Sequence, residues 1–356
     1  MIVFIAEYPN EQNSREGMMQ RIYAIDELAA ATDRIYLDIS YKRHIHQQVN
    51  RPKPGVTVYK LNFFVHYFKI KSLIQQADVV YIHSLFNYRF VSHHLKGKRS
   101  ILDLHGIVPE EFELSGKNSK AKAFTAYESD ALTKVTNFVA VTHNMLRHYQ
   151  KKYPSFDIAA GIVVPIFDDE IHTTTDNTNN HLTFTYAGGL HAWQNIPMMC
   201  EAILLLKACQ LEQFNNYQFN LFFPERSKKK FLKRYPEIAA LNNVNIASVS
   251  KNQVINELKL SHYGFILRDD IAVNNVACPT KLIEYIECNV VPITLSKNIG
   301  DFNDYGYQHV SVEDFIKGEL HQDKLNTICL HNKQLLENIK NDANIAKSKL
   351  KGWLTL

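Results

Sequence analysis

The chain has 356 residues, of which 46% are hydrophobic and 21% charged, and its formal net charge is +4. This composition is ordinary for a folded protein of two domains, and it excludes a disordered chain. The charge is too small and too dispersed to indicate a nucleic-acid partner, and no apolar run is long enough for a transmembrane helix. Five scattered cysteines without a CxxC pair favour a reducing cytoplasm over a disulfide framework or a zinc site.

The first half of the chain alternates short apolar runs with amphipathic stretches. The opening residues, MIVFIAEYPNEQ, lack the regions of a secretory signal, so we expect them to begin with a strand. The apolar runs predict strands at 2–6, 35–39, 56–61, 78–82, 100–104 and 138–142. The amphipathic stretches predict helices at 17–31, 119–134 and 143–152. Such alternation favours a parallel sheet with helices on both faces.

Two places in this half can carry chemistry. Gly17 follows a polar loop, and it either allows a positive φ and close approach of a ligand or serves as a helix N-cap. His105 follows the strand SILDL, and the carboxyl ends of parallel strands face the ligand-binding crevice in open α/β sheets. Its imidazole can donate through one nitrogen while it is oriented through the other. We expect Asp103 to be structural and Glu110 and Glu111 to be candidate bases.

The second half begins after a polar tract. Residues 166–181 are rich in Thr and Asn and have no apolar period, which predicts a linker. The chain then resumes with a strand in LTFTYAGGL, a helix at 196–210, strands near 217–223, 244–247 and 263–267, another helix, and a strand at 290–294. We therefore expect an N-terminal domain at 1–165, a C-terminal domain at 182–325, and a helical tract at 326–356.

The segment from 263 to 293 carries the most specific pattern. An apolar strand leads to a polar loop with Arg268 and then to a helix, and the N–H groups near Thr280 and Lys281 would face an anion. Glu284 lies one turn further in, where a carboxylate can accept hydrogen bonds from a pair of hydroxyls, as in ribose. The pattern predicts a nucleotide site. The alternative is an ordinary α/β crossover with a surface Lys and Glu.

A pair of glycines adds to this prediction. Gly188 and Gly189 follow a strand, and paired glycines let the backbone approach a phosphate or a sugar, where a side chain would fill the space. His191, two residues further on, is a candidate hydrogen-bond donor to the same ligand.

The order of these motifs resembles the donor-binding segment of the GT-B glycosyltransferases, most closely family 4 (group 1) of the capsule and exopolysaccharide type. Pro279, Thr280 and Lys281 look like the phosphate turn of that family, and Glu284 looks like its ribose-binding glutamate. The resemblance is strong over residues 182–295 and only topological before them.

The chain departs from the family at two places. Many members carry a second glutamate where this chain has Val276, and the resemblance implies that Asn275 and the neighbouring polar residues replace it. The typical Arg and Lys that clamp the donor pyrophosphate correspond here to Gly189 and about Gln194. The lysine of the phosphate turn and Arg268 are expected to take over that role.

The resemblance implies two Rossmann-like, doubly wound α/β domains that face each other across a cleft, the first binding the acceptor and the second the nucleotide sugar. It also implies that the helical tract at 326–356 crosses back to the first domain. The same resemblance implies a retaining enzyme that moves a sugar from a nucleotide sugar, UDP- or GDP-linked, to a glycan or lipid-linked acceptor in surface polysaccharide biosynthesis. His105 would lie near the donor sugar, and the loop before Gly17 would close over it. Arg268 and Lys281 would stabilise the leaving diphosphate, so no cofactor and no essential metal are expected.

Other interpretations stay open. Lys69 and Lys71 follow the aromatic run FFVHYF, which indicates either peripheral contact with the inner membrane face or a solvated surface. A GT-B sugar-nucleotide epimerase would share the fold and the nucleotide site but use no acceptor. A catalytically degenerate glycosyltransferase would act as a binding module, which the departures at Val276, Gly189 and Gln194 make plausible.

Overall fold

The computed structural model describes residues 1–10, 17–165, 181–320 and 322–355. The chain divides into two compact units, Met1–Ile166 with Asn341–Leu356, and Phe167–Lys340. The predicted linker at 166–181, apart from its last residue, lies outside the described residues, as do residues 11–16 of the loop before Gly17.

The first unit is built on one sheet. Its strands are β1 Ile2–Ile5, β2 Arg34–Ser40, β3 Gln48–Asn50, β4 Val56–Asn62, β5 Val79–His83, β6 Ser100–Leu104, β7 Asn137–Ala140 and β8 Gly161–Val163. They are ordered β3-β4-β2-β1-β5-β6-β7-β8, and every described pair is parallel except β3 with β4. The strands β1, β5 and β6 are buried throughout, as expected for a parallel sheet covered on both faces. The short strand β3 is exposed and has no apolar pattern to predict it.

The described α-helices of the first unit before its last segment follow its strands. They are α1 Gly17–Leu28, α2 Tyr67–Gln76, α3 Ser84–Tyr88, α4 Val108–Leu114, α5 Asn118–Lys134 and α6 His143–Lys152. Gly17 is thus the first residue of α1. The strand predicted at 138–142 ends at Ala140, because the Thr142 side chain accepts a hydrogen bond from the Met145 N–H and caps α6.

The second unit has its own parallel sheet. Its strands are β9 Leu182–Ala187, β10 Tyr217–Phe222, β11 Val244–Ala247, β12 Tyr263–Ile266, β13 Val291–Thr294 and β14 Val310–Ser311. Their order is β11-β10-β9-β12-β13-β14, with parallel pairing throughout. The helices are α7 Ile196–Cys209, α8 Leu211–Phe214, α9 Glu225–Arg234, α10 Pro236–Ala239, α11 Lys251–Lys259, α12 Ala272–Asn275, α13 Thr280–Glu287, α14 Val312–Lys317 and α15 Leu325–Thr355.

The last helix, α15, belongs to the second unit as far as Lys340 and to the first unit from Asn341. Its final turns place Leu350 and Leu354 in the core of the first unit, with Phe4 of β1. Among the residues described, none of the helices combines the length and the apolar character that crossing a membrane requires.

Both sheets have a topological switch point, where successive connections leave in opposite directions. In the first unit it lies between β1 and β5, and in the second between β9 and β12. In open α/β sheets, ligands bind outside the carboxyl ends of the strands at such points. The loops after these four strands are therefore where binding residues are expected.

Candidate functional site

The loops after β9 and β12 and the start of α13 bring together several of the residues singled out from the sequence. Lys281 Nζ donates to Gln194 Oε1 at 3.0 Å and lies 3.8 Å from the centre of the Tyr186 ring. The Tyr186 hydroxyl donates to the Gly189 carbonyl at 2.7 Å. A Cβ on Gly188 would lie 2.9 Å from Lys281 Nζ, so any side chain there would displace the lysine. Gly188 thus makes room for the lysine at the switch point, whereas a Cβ on Gly189 would lie 3.1 Å from the His191 ring.

Lys281 and Arg268 form a pair of neighbouring cations, and the Glu284 carboxylate is close enough to Lys281 to oppose its charge in part. Arg268 is 9% exposed, and its Nε is buried without a hydrogen-bond partner. Neither side chain forms an ion pair with a carboxylate of the described residues. Burial and then the neighbouring Arg268 hold the pKa of Lys281 well below its ordinary value, and burial lowers the pKa of Arg268 to about 10. Two cations thus lie beside one carboxylate, Glu284, and the excess positive charge would attract an anion.

The helix α13 holds this arrangement in place through Tyr285. Its ring packs on Gly264 of β12, where a Cβ would lie 2.4 Å from the ring, and its hydroxyl donates to the Phe265 carbonyl at 3.1 Å. The helix begins after Pro279, whose side chain cannot cap it, and Thr280 in its first turn is exposed. Glu284 lies one turn further along and is half-buried. N–H groups in the first turn of α13 are thus available to donate hydrogen bonds to an external acceptor.

The loop between β12 and α13 is ordered by Asn and Asp side chains. Asn275 donates to Asp270 Oδ1 at 2.6 Å, and Asn298 donates to the other carboxylate oxygen of Asp270 at 2.9 Å. Asn195 donates to Asp269 at 3.0 Å. Val276 is buried, so the position of the missing second glutamate is part of the apolar core. Asn275 therefore shapes the loop, and its buried Oδ1 has no hydrogen-bond partner.

His191 lies on the loop after β9 but outside the lysine cluster. Its side chain is exposed and stacks on Trp193, with ring centres 4.6 Å apart. The structure places it at the rim of the region that holds Gly188 and Gly189.

In the first unit, Asp103 organises a buried polar cluster at the ends of β5 and β6. Arg21 Nε donates to both carboxylate oxygens, at 2.7 and 2.9 Å, and the Tyr81 hydroxyl donates at 3.0 Å. His105 Nε2 lies 3.2 Å from the same carboxylate, and His83 Nδ1 lies 3.4 Å from it. Asp103 is structural, as expected, and it orients His105 through Nε2, which leaves Nδ1 for another partner.

The charges in this cluster are set by burial and by Arg21. Burial lowers the pKa of His83 to about 4, so its imidazole is neutral near pH 7. Burial alone would raise the pKa of Asp103, but Arg21 and then His105 hold it well below its ordinary value. The carboxylate is therefore ionised and opposes the Arg21 guanidinium.

Ligand atoms of His83, Asp103 and His105 all lie within 4.8 Å of one another, a spacing at which a metal could be held. These residues do not fit a dication, because both carboxylate oxygens already accept hydrogen bonds from Arg21. A metal ion there would lie against the guanidinium, and the two positive charges would repel each other across a buried contact.

The two candidate bases differ. Glu110 contacts His148 Nε2 at 3.0 Å and Lys152 Nζ at 2.7 Å. Burial would raise the pKa of Glu110, but His148 and Lys152 lower it to about 2, which makes this carboxylate a weak base near pH 7. Glu111 has a pKa raised by burial and by Glu110, and its Oε1 lies over Gly106, next to His105. Of the two, only Glu111 retains the character of a base.

Sequence reasoning missed His83 and Arg21. His83 is the last residue of β5 in the motif VVYIH, and His105 comes directly after β6. The position of His83 at a strand end could therefore have identified it as a candidate site residue. Arg21 gave no comparable signal, because its importance depends on a contact with a residue 82 positions away.

Comparison with known proteins supports the fold. No family model matches this chain, and no curated protein matches it in sequence. Among solved structures, WaaG, a glycosyltransferase involved in lipopolysaccharide biosynthesis, matches with a TM-score of 0.69 at 12% identity, over 100% of both chains. An α,α-trehalose-phosphate synthase (UDP-forming) from Burkholderia xenovorans, in complex with glucose-6-phosphate, matches at 0.68 and 11% identity, over 100% of this chain and 99% of its own.

Sucrose-phosphate synthase from Thermosynechococcus elongatus matches with a TM-score of 0.65 at 10% identity, over 97% of this chain and 94% of its own. The neighbours have the GT-B glycosyltransferase fold. The chain thus has this fold, with two α/β units built on parallel sheets, and the predicted fold class is confirmed. The assignment to family 4 and to the capsule type stays a prediction.

Proposed function

We propose that this protein is a retaining glycosyltransferase that uses a nucleotide sugar as donor. The observation that carries the proposal is the pair of neighbouring cations, Lys281 and Arg268, which form no ion pair with a described carboxylate and lie at a switch point of the second unit. A diphosphate would balance the excess positive charge of this pair, and the N–H donors at the start of α13 would attract the same anion. Glu284, one turn into that helix, would accept hydrogen bonds from the ribose hydroxyls. Pro279 and Thr280 form the turn that meets the phosphates.

The same groups would assist the reaction. The bond between the sugar and the diphosphate breaks, and the acceptor oxygen bonds to the sugar carbon on the same face. The acceptor proton passes to the leaving phosphate. Lys281, Arg268 and the helix start stabilise the negative charge that develops on the leaving group, without a metal ion. Asp103 orients His105 through Nε2, and His105 Nδ1 would form a hydrogen bond with a sugar hydroxyl.

The acceptor is proposed to be a glycan or a lipid-linked molecule used in surface polysaccharide biosynthesis in the cytoplasm. The structural neighbours include a glycosyltransferase of lipopolysaccharide biosynthesis and a UDP-forming synthase in complex with glucose-6-phosphate. These enzymes support sugar transfer by a protein of this fold, and UDP is accordingly the first nucleotide to test, followed by GDP.

The test is a calorimetric titration with UDP, GDP and other nucleoside diphosphates, followed by an assay with the matching nucleotide sugars. We expect one nucleoside diphosphate to bind and to raise the melting temperature, because a ligand of the native state stabilises it. Binding and transfer should be unchanged in a chelator, and the product should keep the anomeric configuration of the donor. Absence of heat with every nucleotide, or inversion in the product, would contradict the proposal.

The two alternative functions predict different results in the same assay. An epimerase would convert the nucleotide sugar to an isomer without any acceptor, which nuclear magnetic resonance of the nucleotide-sugar pool would detect. A degenerate binding module would bind no nucleoside diphosphate. The retained cations Lys281 and Arg268 favour the transferase over this second alternative, because a decayed pocket would not need to keep two charges buried at a cost in stability.

We further propose peripheral contact with a membrane through a membrane-facing patch, defined as Phe64, Val65, Phe68, Lys69 and Lys71. Its three apolar side chains are 67%, 61% and 81% exposed, and both lysines are exposed beside them. Exposed aromatic residues next to lysines suit the interface of an anionic membrane.

Replacing Phe68 with serine is expected to reduce co-sedimentation with vesicles of anionic phospholipid by several-fold, since burying a Phe side chain is worth about 1.5–3 kcal/mol. Vesicles of neutral phospholipid should bind more weakly, and high salt should release the protein. Equal sedimentation of the variant and the parent protein with anionic vesicles would contradict the patch.

A further inference from the structure

Arg89 is a half-buried cation of the first unit. It is the C-cap residue of α3, the short helix that directly follows β5 at the switch point beside β1. Its Nε is buried without a hydrogen-bond partner, and its side chain forms no ion pair with a carboxylate of the described residues. A buried guanidinium nitrogen that lacks an acceptor is costly unless a ligand supplies one.

Three aromatic rings surround this guanidinium. Its carbon lies 4.7 Å from the centre of the Phe90 ring, 5.3 Å from that of Tyr41 and 5.8 Å from that of Phe124. Aromatic faces attract a cation but leave its hydrogen-bond donors unsatisfied. Arg89 is therefore held in position by groups that cannot neutralise it.

The rings belong to a larger aromatic strip, which we define as Tyr41, Phe63, Phe64, Phe86, Phe90, Phe112 and Phe124. Neighbouring rings in the strip touch, with centres 4.8 Å apart for Tyr41 and Phe90, 5.2 Å for Phe63 and Phe64, and 5.1 Å for Phe86 and Phe124. Tyr41 and Phe63 come directly after β2 and β4, so the strip lies at the carboxyl edge of the sheet.

The strip continues to the membrane-facing patch. Phe90 and Phe124 are buried, and Phe64 at the far end is 67% exposed and belongs to both surfaces. The other rings of the strip are half-buried: Tyr41, Phe63, Phe86 and Phe112. An apolar path thus leads from the proposed membrane contact to the unpaired guanidinium of Arg89. A ligand that fits this path has a hydrocarbon chain at one end and a negative charge at the other.

We infer that Arg89 and the aromatic strip bind an amphiphilic acceptor in which a phosphate or diphosphate is joined to a hydrocarbon chain. The phosphate accepts hydrogen bonds from the guanidinium, whose planar fork suits phosphate oxygens. The hydrocarbon chain covers the aromatic rings and leaves toward Phe64. This inference rests on the proposed function, because it names the acceptor of the same transferase.

The test is calorimetric titration of the full chain with octyl phosphate below its micelle concentration. Octyl glucoside, glucose-6-phosphate and inorganic phosphate serve as the neutral, the soluble phosphorylated and the free-ion comparisons. We expect octyl phosphate to bind more tightly than the other three. Arg89→Ala should weaken it by about tenfold or more, as loss of a charged hydrogen-bonding group does. Arg89→Lys should retain part of the affinity.

Two further variants keep the test informative if Arg89→Ala does not fold. Phe64→Ser changes an exposed residue at the end of the strip. It should weaken the binding of octyl phosphate several-fold without changing the affinity for glucose-6-phosphate. Phe68→Ser lies in the membrane-facing patch but not in the strip, and it should leave octyl phosphate binding unchanged. Arg51→Ala, an exposed arginine of the same unit, is the matched control and should bind like the parent protein.

The inference is overturned if the Arg89 and Phe64 variants bind octyl phosphate like the parent protein, or if the parent protein does not bind it. It is also overturned if glucose-6-phosphate or inorganic phosphate binds as tightly, because the acceptor would then be a soluble phosphorylated molecule or the site a simple anion site. The nucleotide titration on the same samples separates the two proposals. Nucleoside diphosphate binding without octyl phosphate binding overturns only the acceptor, whereas the reverse overturns only the donor assignment.

Discussion

Replacing Lys281 with methionine is expected to weaken the binding of the preferred nucleoside diphosphate by roughly 10- to 150-fold. The range follows from the loss of one hydrogen bond to a charged group, about 1.5–3 kcal/mol, where 1.4 kcal/mol corresponds to a factor of ten. Methionine keeps an unbranched apolar stem over the Tyr186 ring and removes only the charge and the donor. Calorimetry with the parent protein and the variant measures the ratio directly.

Stability separates lost binding from lost folding in this variant. The ammonium of Lys281 is desolvated beside Arg268, so its removal should leave the melting temperature of the ligand-free protein unchanged or raise it. The Lys229→Met variant, at an exposed position of α9, is the matched control and should bind the nucleotide normally. Unaltered nucleotide affinity in the Lys281 variant would show that the diphosphate does not bind at this lysine.

The pH dependence provides an independent check on the same residue. A bound diphosphate favours the charged form of Lys281 and raises its pKa from the lowered value of the free protein. Binding should therefore take up protons in the pH range between the two values, and affinity should fall as the pH rises through that range. The binding enthalpy should depend on the ionisation enthalpy of the buffer in the parent protein but not in the methionine variant.

The sequence was most informative where a pattern is local. Apolar alternation located most strands and helices within a few residues, because strand and helix periods are properties of neighbouring positions. The order of strand, loop and helix over 263–293 likewise assigned Arg268 and Lys281 to one predicted nucleotide site, and the two side chains are neighbours in the structure. The exposed strand β3 was missed because its residues have no apolar period.

Residues whose importance comes from distant contacts could not be predicted in this way. Arg21 is one turn into an ordinary amphipathic helix, and only the fold shows that it neutralises Asp103. Arg89 is one of many arginines until the fold encloses it in rings from Tyr41, Phe90 and Phe124. A local pattern can predict where a strand ends, but not which distant side chains meet there.

The Asp103→Asn variant is expected to lose about 3–5 kcal/mol of unfolding free energy in the first unit. Asparagine has almost the same shape but no charge, so the Arg21 guanidinium, 2% exposed, would be left buried without a counter-ion. The hydrogen bond from Tyr81 would also weaken, and His105 would be oriented less firmly. Thermal and urea denaturation, followed by a probe in the first unit, would measure the loss.

The controls for this variant follow from the cause of the loss. Removing both charges, with Arg21→Met and Asp103→Leu together, should cost less than Asp103→Asn alone, because no buried charge is left unpaired. Lys134→Met breaks an exposed pair with Asp130 and should cost no more than about 1 kcal/mol. If Asp103→Asn costs no more than Lys134→Met, the buried pair does not organise the unit.

The acid sensitivity of the first unit should change in the same variant. The folded-state pKa of Asp103 is lowered, so its contribution to stability is fully present above the unfolded-state pKa of about 3.9 and is lost as the pH falls toward the folded-state value. The parent protein should therefore lose stability more steeply than Asp103→Asn as the pH falls below about 4. Because His105 depends on Asp103 for its orientation through Nε2, transfer activity should fall in Asp103→Asn while nucleotide affinity at Lys281 and Arg268 is retained.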